Sequence, residues 1–298
     1  MKSLIPTTLA GKVGVAGSFI CVVLAVIGPW VAPYDPEKPT VDVLQAPGFA
    51  HPFGTDASGL DIFSVVIAAF RTDLSIALLG VGASFVLGLV LGSISGFSAA
   101  GGRIWGVLAR IVDAALDVFQ SIPVTVFALA LAAIFGRGTG AVITAVIFVT
   151  TPVFARLIRS SLNSVVRGGL VASCRILGLG TMRTLTRHAL PNSVDSAVAN
   201  ISVSLGVSVL LTAALSFLGA GVRPPTPEWG YVISMGANYV ATGQWWISLM
   251  PGLVLCLSVV AFALTGEAVR EWLAGAGLTA AAASEEAALS TGQTERTP

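Results

Sequence analysis

The sequence predicts an all-α polytopic membrane protein with six transmembrane helices. Three observations carry that prediction. The 298 residues have a mean hydropathy of +0.88. Only 10% of them are charged, against about 25% in a soluble domain. The Lys and Arg residues are also sided: with a cytoplasmic N-terminus, twelve of the sixteen fall in cytoplasmic segments, as the positive-inside rule demands. Lys38, Arg71, Arg137 and Arg223 are the four left outside.

In chain order, residues 1–12 are a cytoplasmic N-terminus and 13–34 the first span. That span ends Trp30-Val-Ala-Pro33-Tyr-Asp-Pro36, with no small-x-small site, so it reads as an uncleaved anchor. Residues 35–71 form an extracytoplasmic segment that carries Asp35, Glu37, Asp42, Asp56 and Asp61. Asp73 and Glu228 are also placed outside the membrane. Residues 72–274 hold the remaining five spans. Gly80, Ser84, Gly88, Gly92 and Gly96 recur every fourth residue in the second, a small-residue ridge that lets another backbone approach. It serves either packing within the chain or a sliding face. The third span, Val118–Gly136, should kink at Pro123. Asp113 and Asp117 stand one turn apart at its start. They are either partners of Arg110 or candidate pathway or gate residues, since carboxylates near lipid are costly. The fourth, fifth and sixth spans follow at Gly138–Ala155, Ser196–Val222 and Trp245–Gly266. Residues 275–298 are rich in Ala, Ser, Thr and Glu and read as a flexible cytoplasmic tail with helical tendency near 280–289.

The loop at 165–192 is the most informative stretch. No acid lies between Asp117 and Asp195, yet Arg156, Arg159, Arg167, Arg175, Arg183 and Arg187 cluster there. Leu170, Val171, Cys174 and Leu177 have helical spacing, and Gly178-Leu179-Gly180 ends that helix. Thr181 can cap a second helix with Arg183 and Arg187 on one face and Met182, Leu185 and Ala189 on another. Pro191 stops it, and Asn192 with Asp195 suggests a capping box for the fifth span. The expected product is a helix–turn–helix on the membrane surface with an apolar patch that needs a partner.

Ala172-Ser-Cys-Arg175-Ile-Leu-Gly178, nine residues, then His188-Ala-Leu190-Pro191 resembles the EAA loop of bacterial ABC importer permeases. Ala172 stands where that motif has Glu, and His188 replaces an aliphatic residue. His51-Pro-Phe-Gly-Thr-Asp56-x-x-Gly59-x-Asp61-x-x-Ser64 resembles the second (C-type) permease subunit of the dipeptide, oligopeptide and nickel group. Leu60, Ala69 and Asp73 depart from its continuation, and Arg71 and Leu74 keep it. The run from Leu215 through Pro224-Pro225-x-Pro227-x-Trp229-Gly230 is similar as well, with Thr212 where Glu is common. So is Gly266-Glu267-x-Val269-Arg270-Glu271-x-Leu273.

This resemblance implies a type I ABC importer permease architecture. It implies a homologous second permease, two ATP-binding subunits holding ATP and Mg, and an extracytoplasmic substrate-binding protein. The coupling residues would be Leu170, Val171, Ala172, Cys174, Arg175, Leu177, Gly178, Arg183, Arg187, His188 and Pro191. Asp56, Asp61, Pro225 and Trp229 become candidate contacts for the binding protein. Peptide is the favoured substrate, with nickel or another small solute as the alternative, in a bacterial cytoplasmic membrane with both termini inside.

The chain has no GxxxxGK[ST], HExxH or GxSxG, so an ATPase must be a separate polypeptide. No cofactor, metal site, catalytic residue or nucleic-acid partner is expected. His51 and His188 fall on opposite sides, and Cys21, Cys174 and Cys256 read as apolar fillers. A reading from another class is an intramembrane enzyme using Asp113 and Asp117, or a stand-alone channel.

Overall fold

The computed structural model describes residues 8–99, 103–167, 174, 176 and 180–294. Eight helices of more than one turn are described: α1 Leu9–Val31, α2 Ile62–Gly96, α3 Arg103–Ser121, α4 Val124–Phe135, α5 Thr139–Arg167, α6 Asp195–Phe217, α7 Trp229–Ala237 and α8 Trp246–Thr294. No strand occurs among the described residues; Thr55 and Asp61 form an isolated bridge. Five helices are long and apolar enough to cross a membrane, and the α3–α4 pair makes a sixth if it counts as one span.

That pair corrects the expected third span. The chain bends at Pro123 as expected, but further than a kink: it breaks into two helices at 85°. Pro123 has no N–H to continue the ladder and drives Ile122 out of the helical region. Gly136, at φ 83°, then ends α4.

α2 is the central helix, packed against α1, α3, α5, α6 and α8. Its small-residue ridge faces α5. A Cβ on Gly80 would stand 2.5 Å from Val146, one on Gly92 2.5 Å from the Ala155 carbonyl, and one on Gly96 2.7 Å from Leu162. Ser84 accepts a 2.6 Å hydrogen bond from Thr150 within the same seam. The ridge therefore serves packing inside this chain. α1 lies against α8 by the same device, with Gly14 on Leu264 and Gly17 on Ala261.

Two other boundaries move. The segment expected at 35–71 ends instead at Asp61, which caps α2 by accepting from the Ser64 amide. Arg71 and Asp73 look like the end of a polar segment but lie within the helix. The side chain of Arg71 sits 5.8 Å over the Trp30 ring, and Asp73 is buried. α8 runs on to Thr294, so residues 275–294, expected as a flexible tail, have helical backbone. The bundle thus has a cap end, where α2 starts at Asp61, and a loop end, where α2 stops at Gly96.

Candidate coupling surface and opposing cap

At the loop end, α5 extends to Arg167, about three turns past the expected end at Ala155. Leu170, Val171, Ala172, Arg175, Leu177 and Gly178 lie outside the described residues. Cys174 is buried and Ile176 is 87% exposed. Of the predicted apolar stripe, the described member Cys174 faces the protein, whereas Ile176 faces out. Sequence reasoning missed Ile176 because it is off the stripe, two residues beyond Cys174.

From Gly180 the loop returns as one helical turn, Thr181–Thr184, and a wider turn, Leu185–Ala189, closed by the Leu190 amide donating to the Leu185 carbonyl at 2.8 Å. Leu185 and Ala189 are buried with Phe97 and Leu162, and Trp105, Val165 and Val166 pack around them. Arg183 and Arg187 are exposed, His188 is half-buried and Pro191 is exposed. The predicted division into an apolar inner face and a basic outer face holds for the four residues Arg183, Arg187, Leu185 and Ala189. The capping box does not form. Asn192 donates back to the His188 carbonyl at 2.9 Å, and α6 starts without a side-chain cap, with Asp195 in its first turn, where the helix dipole favours an acid.

Asp113 and Asp117 both pair with α5, not with Arg110. Arg159 meets Asp113 at 2.6 Å and Arg156 meets Asp117 at 2.7 Å. Ser95 on α2 donates to Asp113 at 2.6 Å, whereas Arg110 donates to its own helix at Gly106. Both pairs are partly exposed, so each contributes at most about 1 kcal/mol. Their effect is to fix which turn of α3 faces which turn of α5. Beyond them Leu116, Phe119, Phe127 and Phe148 line an apolar cavity of about 290 Å3 in the elbow of α3 and α4.

At the cap end the segment after α1 folds back on α2. Asp56 accepts from the Ser58 and Leu60 amides at 2.8 Å each. Gly59 has φ 85°, and a Cβ there would meet the Thr40 carbonyl at 2.6 Å. His51 stacks on Tyr34 and bonds Asp61 at 2.8 Å. The His51–Ser64 motif is thus the internal fastening of this loop. Burial raises the Asp56 carboxyl above its ordinary range, with the Leu60 and Ser58 amides opposing.

Beside it the Pro-rich loop carries Glu228 and Trp229 into the protein. Trp229 is buried edge-on to Phe70 at 4.7 Å, and its ring N–H donates to the Val66 carbonyl at 3.0 Å. Its amide donates to Asp73 at 3.2 Å. Glu228 caps α7 by accepting from the Gly230 and Tyr231 amides at 2.8 Å. Burial raises its carboxyl above the usual range, while those amides and Ser216 pull the other way.

Of the four candidate contacts, Asp56 and Pro225 line one surface hollow of about 140 Å3. Asp61 and Trp229 are 1% and 2% exposed and are not at the surface. Asp73 and Glu228, read from sequence as outside the membrane, are instead buried side by side. Their distance in sequence hid the pairing. Among the described residues no three His, Cys, Asp or Glu side chains meet as a metal site.

Comparison with known proteins fits this geometry. Residues 88–276 match the family described as "Binding-protein-dependent transport system inner membrane component". The chain is 34% identical over 87% of its length to the Di/tripeptide transport system permease protein DppC of Pseudomonas aeruginosa (strain UCBPP-PA14), covering 86% of that protein. It is 32% identical over 85% of its length to the Probable D,D-dipeptide transport system permease protein DdpC of Escherichia coli (strain K12), covering 83%. The fold is similar to a chain of the inward-facing MetNI methionine ABC transporter, with TM-score 0.57 and 22% identity over 70% of this chain and 95% of that one. The family model covers most of the chain and two relatives span it nearly end to end; the chain belongs to the binding-protein-dependent inner-membrane permeases of ABC importers.

Proposed function

We propose that this chain is the permease subunit of an ATP-driven peptide importer and forms half of its translocation pathway. A homologous permease, two ATP-binding subunits and an extracytoplasmic substrate-binding protein complete the assembly. The cap end faces outward and the loop end, with both termini, faces the cytoplasm. The observation that carries the reading is the seating of the basic loop. Leu185 and Ala189 join one cluster with residues of α5 and the ends of α2 and α3, while Arg183, Arg187 and Ile176 remain free for a partner. The names of the relatives supply the substrate class.

In this mechanism nucleotide-driven closure of the motor subunits displaces the loop as a body. The anchor passes that displacement to α5 through Leu162 and to the ends of α2 and α3 through Phe97 and Trp105. The motor's preference for ATP in its closed state supplies the shift in equilibrium. This chain performs no covalent step.

The test uses the assembled transporter in proteoliposomes. Ala189→Leu overfills a site with 0% exposure, a change worth about 1–3 kcal/mol. Nucleotide hydrolysis should persist while ATP-driven di- or tripeptide uptake falls roughly tenfold or more. Unchanged uptake removes the anchor from coupling, and peptide flux through this chain alone sinks the permease-subunit reading.

A further inference from the structure

Two arginines at the cap end have no assigned role. Arg137 lies in the turn between α4 and α5, and Arg223 in the loop after α6. Among the described residues neither guanidinium has an ion-pair or hydrogen-bond partner, whereas those of Arg156, Arg159 and Arg270 each hold a carboxylate. Each arginine reaches toward the other's loop. The Arg223 guanidinium stands 2.6 Å from where a Cβ on Gly136 would lie, and that of Arg137 comes within 3.9 Å of one on Gly219. Gly136 and Gly219 have φ 83° and 82°, a backbone that favours glycine at both turns, and at Gly136 the missing side chain also leaves room for the opposite arginine.

Both guanidiniums line one hollow of about 390 Å3, together with Ser216 and Tyr231. Arg137 also borders a second hollow of about 460 Å3 with Gly138 and Gly140, at the first turn of α5, where backbone N–H groups have no helical partner. The nearby carboxylate, Glu228, is buried and turned onto the Gly230 and Tyr231 amides. Two like charges thus converge on a concave surface with no counter-charge. An arginine fork matches the planar, two-oxygen geometry of a carboxylate.

We propose that Arg137 and Arg223 form a recognition site for the carboxylate of the incoming peptide at the outer mouth of the pathway. The assignment to a peptide rests on the function proposed above; the convergence of unpaired arginines does not.

The experiment measures phenylglyoxal modification of Arg137 and Arg223 in the assembled, detergent-solubilised transporter by mass spectrometry. Trialanine should slow both reactions several-fold and trialanine amide should not. Equal protection by both peptides, or by neither, overturns the proposal. In phosphatidylcholine vesicles the R137Q/R223Q double variant should lose roughly tenfold in trialanine uptake, the scale of one charged hydrogen-bond contact, with nucleotide hydrolysis retained. Unchanged uptake counts against the site. A defect that appears only when phosphatidylglycerol is added marks a lipid-phosphate site instead and overturns the peptide assignment. If the wild-type complex imports no peptide, the peptide-importer reading falls separately. Protection by acetate would then keep a carboxylate site, and its absence would remove that too.

Discussion

The two ends of the bundle are fastened by opposite means. At the cap end the fastenings are buried: Trp229, Glu228, Asp73, Asp61 and His51 are each 2% exposed or less. At the loop end the cross-links are the partly exposed pairs of Arg156 and Arg159, with a small apolar anchor of Leu185 and Ala189. Buried polar groups in a dry setting tolerate little displacement, because any broken contact leaves an unsatisfied group. Exposed ion pairs exchange with water at small cost. The difference suits a machine whose cap end stays fixed while its loop end is moved.

Trp229→Ala should break this contrast most severely. It removes the largest buried ring at the cap and the bond to Val66, and should cost about 3–5 kcal/mol. Thermal unfolding in detergent measures the loss, and a change below about 1 kcal/mol would show that the cap is not the rigid end. A smaller effect should come from pH. Because burial raises the Glu228 carboxyl, the folded protein keeps a proton that the unfolded chain has released. Stability should therefore fall as pH rises from the ordinary carboxylate range through the raised value. Glu228→Gln should flatten that stretch of the stability curve; an unchanged slope would assign the dependence elsewhere. Smallest of all should be Arg156→Gln, which frees Asp117 and should shift stability by less than about 1 kcal/mol. A larger loss would mean that the loop end is as rigid as the cap.

Legibility differed between these ends for physical reasons. Span positions were readable because lipid forces long apolar runs, and the α2 ridge was readable because close helix packing forces small residues. The basic and apolar faces around Leu185 followed from helical spacing. The break at Pro123 was visible as a proline, but its 85° angle depends on what α4 packs against. Charge misled at Asp73: a carboxylate reads as solvent-facing unless its partner is known, and Glu228 and the Trp229 amide lie more than 150 residues away. The same blindness turned Asp61 and Trp229 into expected surface contacts. Arg110 was the nearest cation to Asp113 along the chain, yet the helix bend brings Arg159 to it.

The unbroken length of α2 has a mechanical corollary. Its 35 residues, at 1.5 Å rise each, make a rod of about 50 Å whose tip is clamped by Asp61 and whose foot stands next to Phe97 in the loop anchor. Pivoting such a rod by about 5° about the clamp would sweep its foot roughly 4 Å, nearly one helical turn. A modest push at the loop end therefore needs no hinge along the shaft to become a change of register against whatever packs beside it.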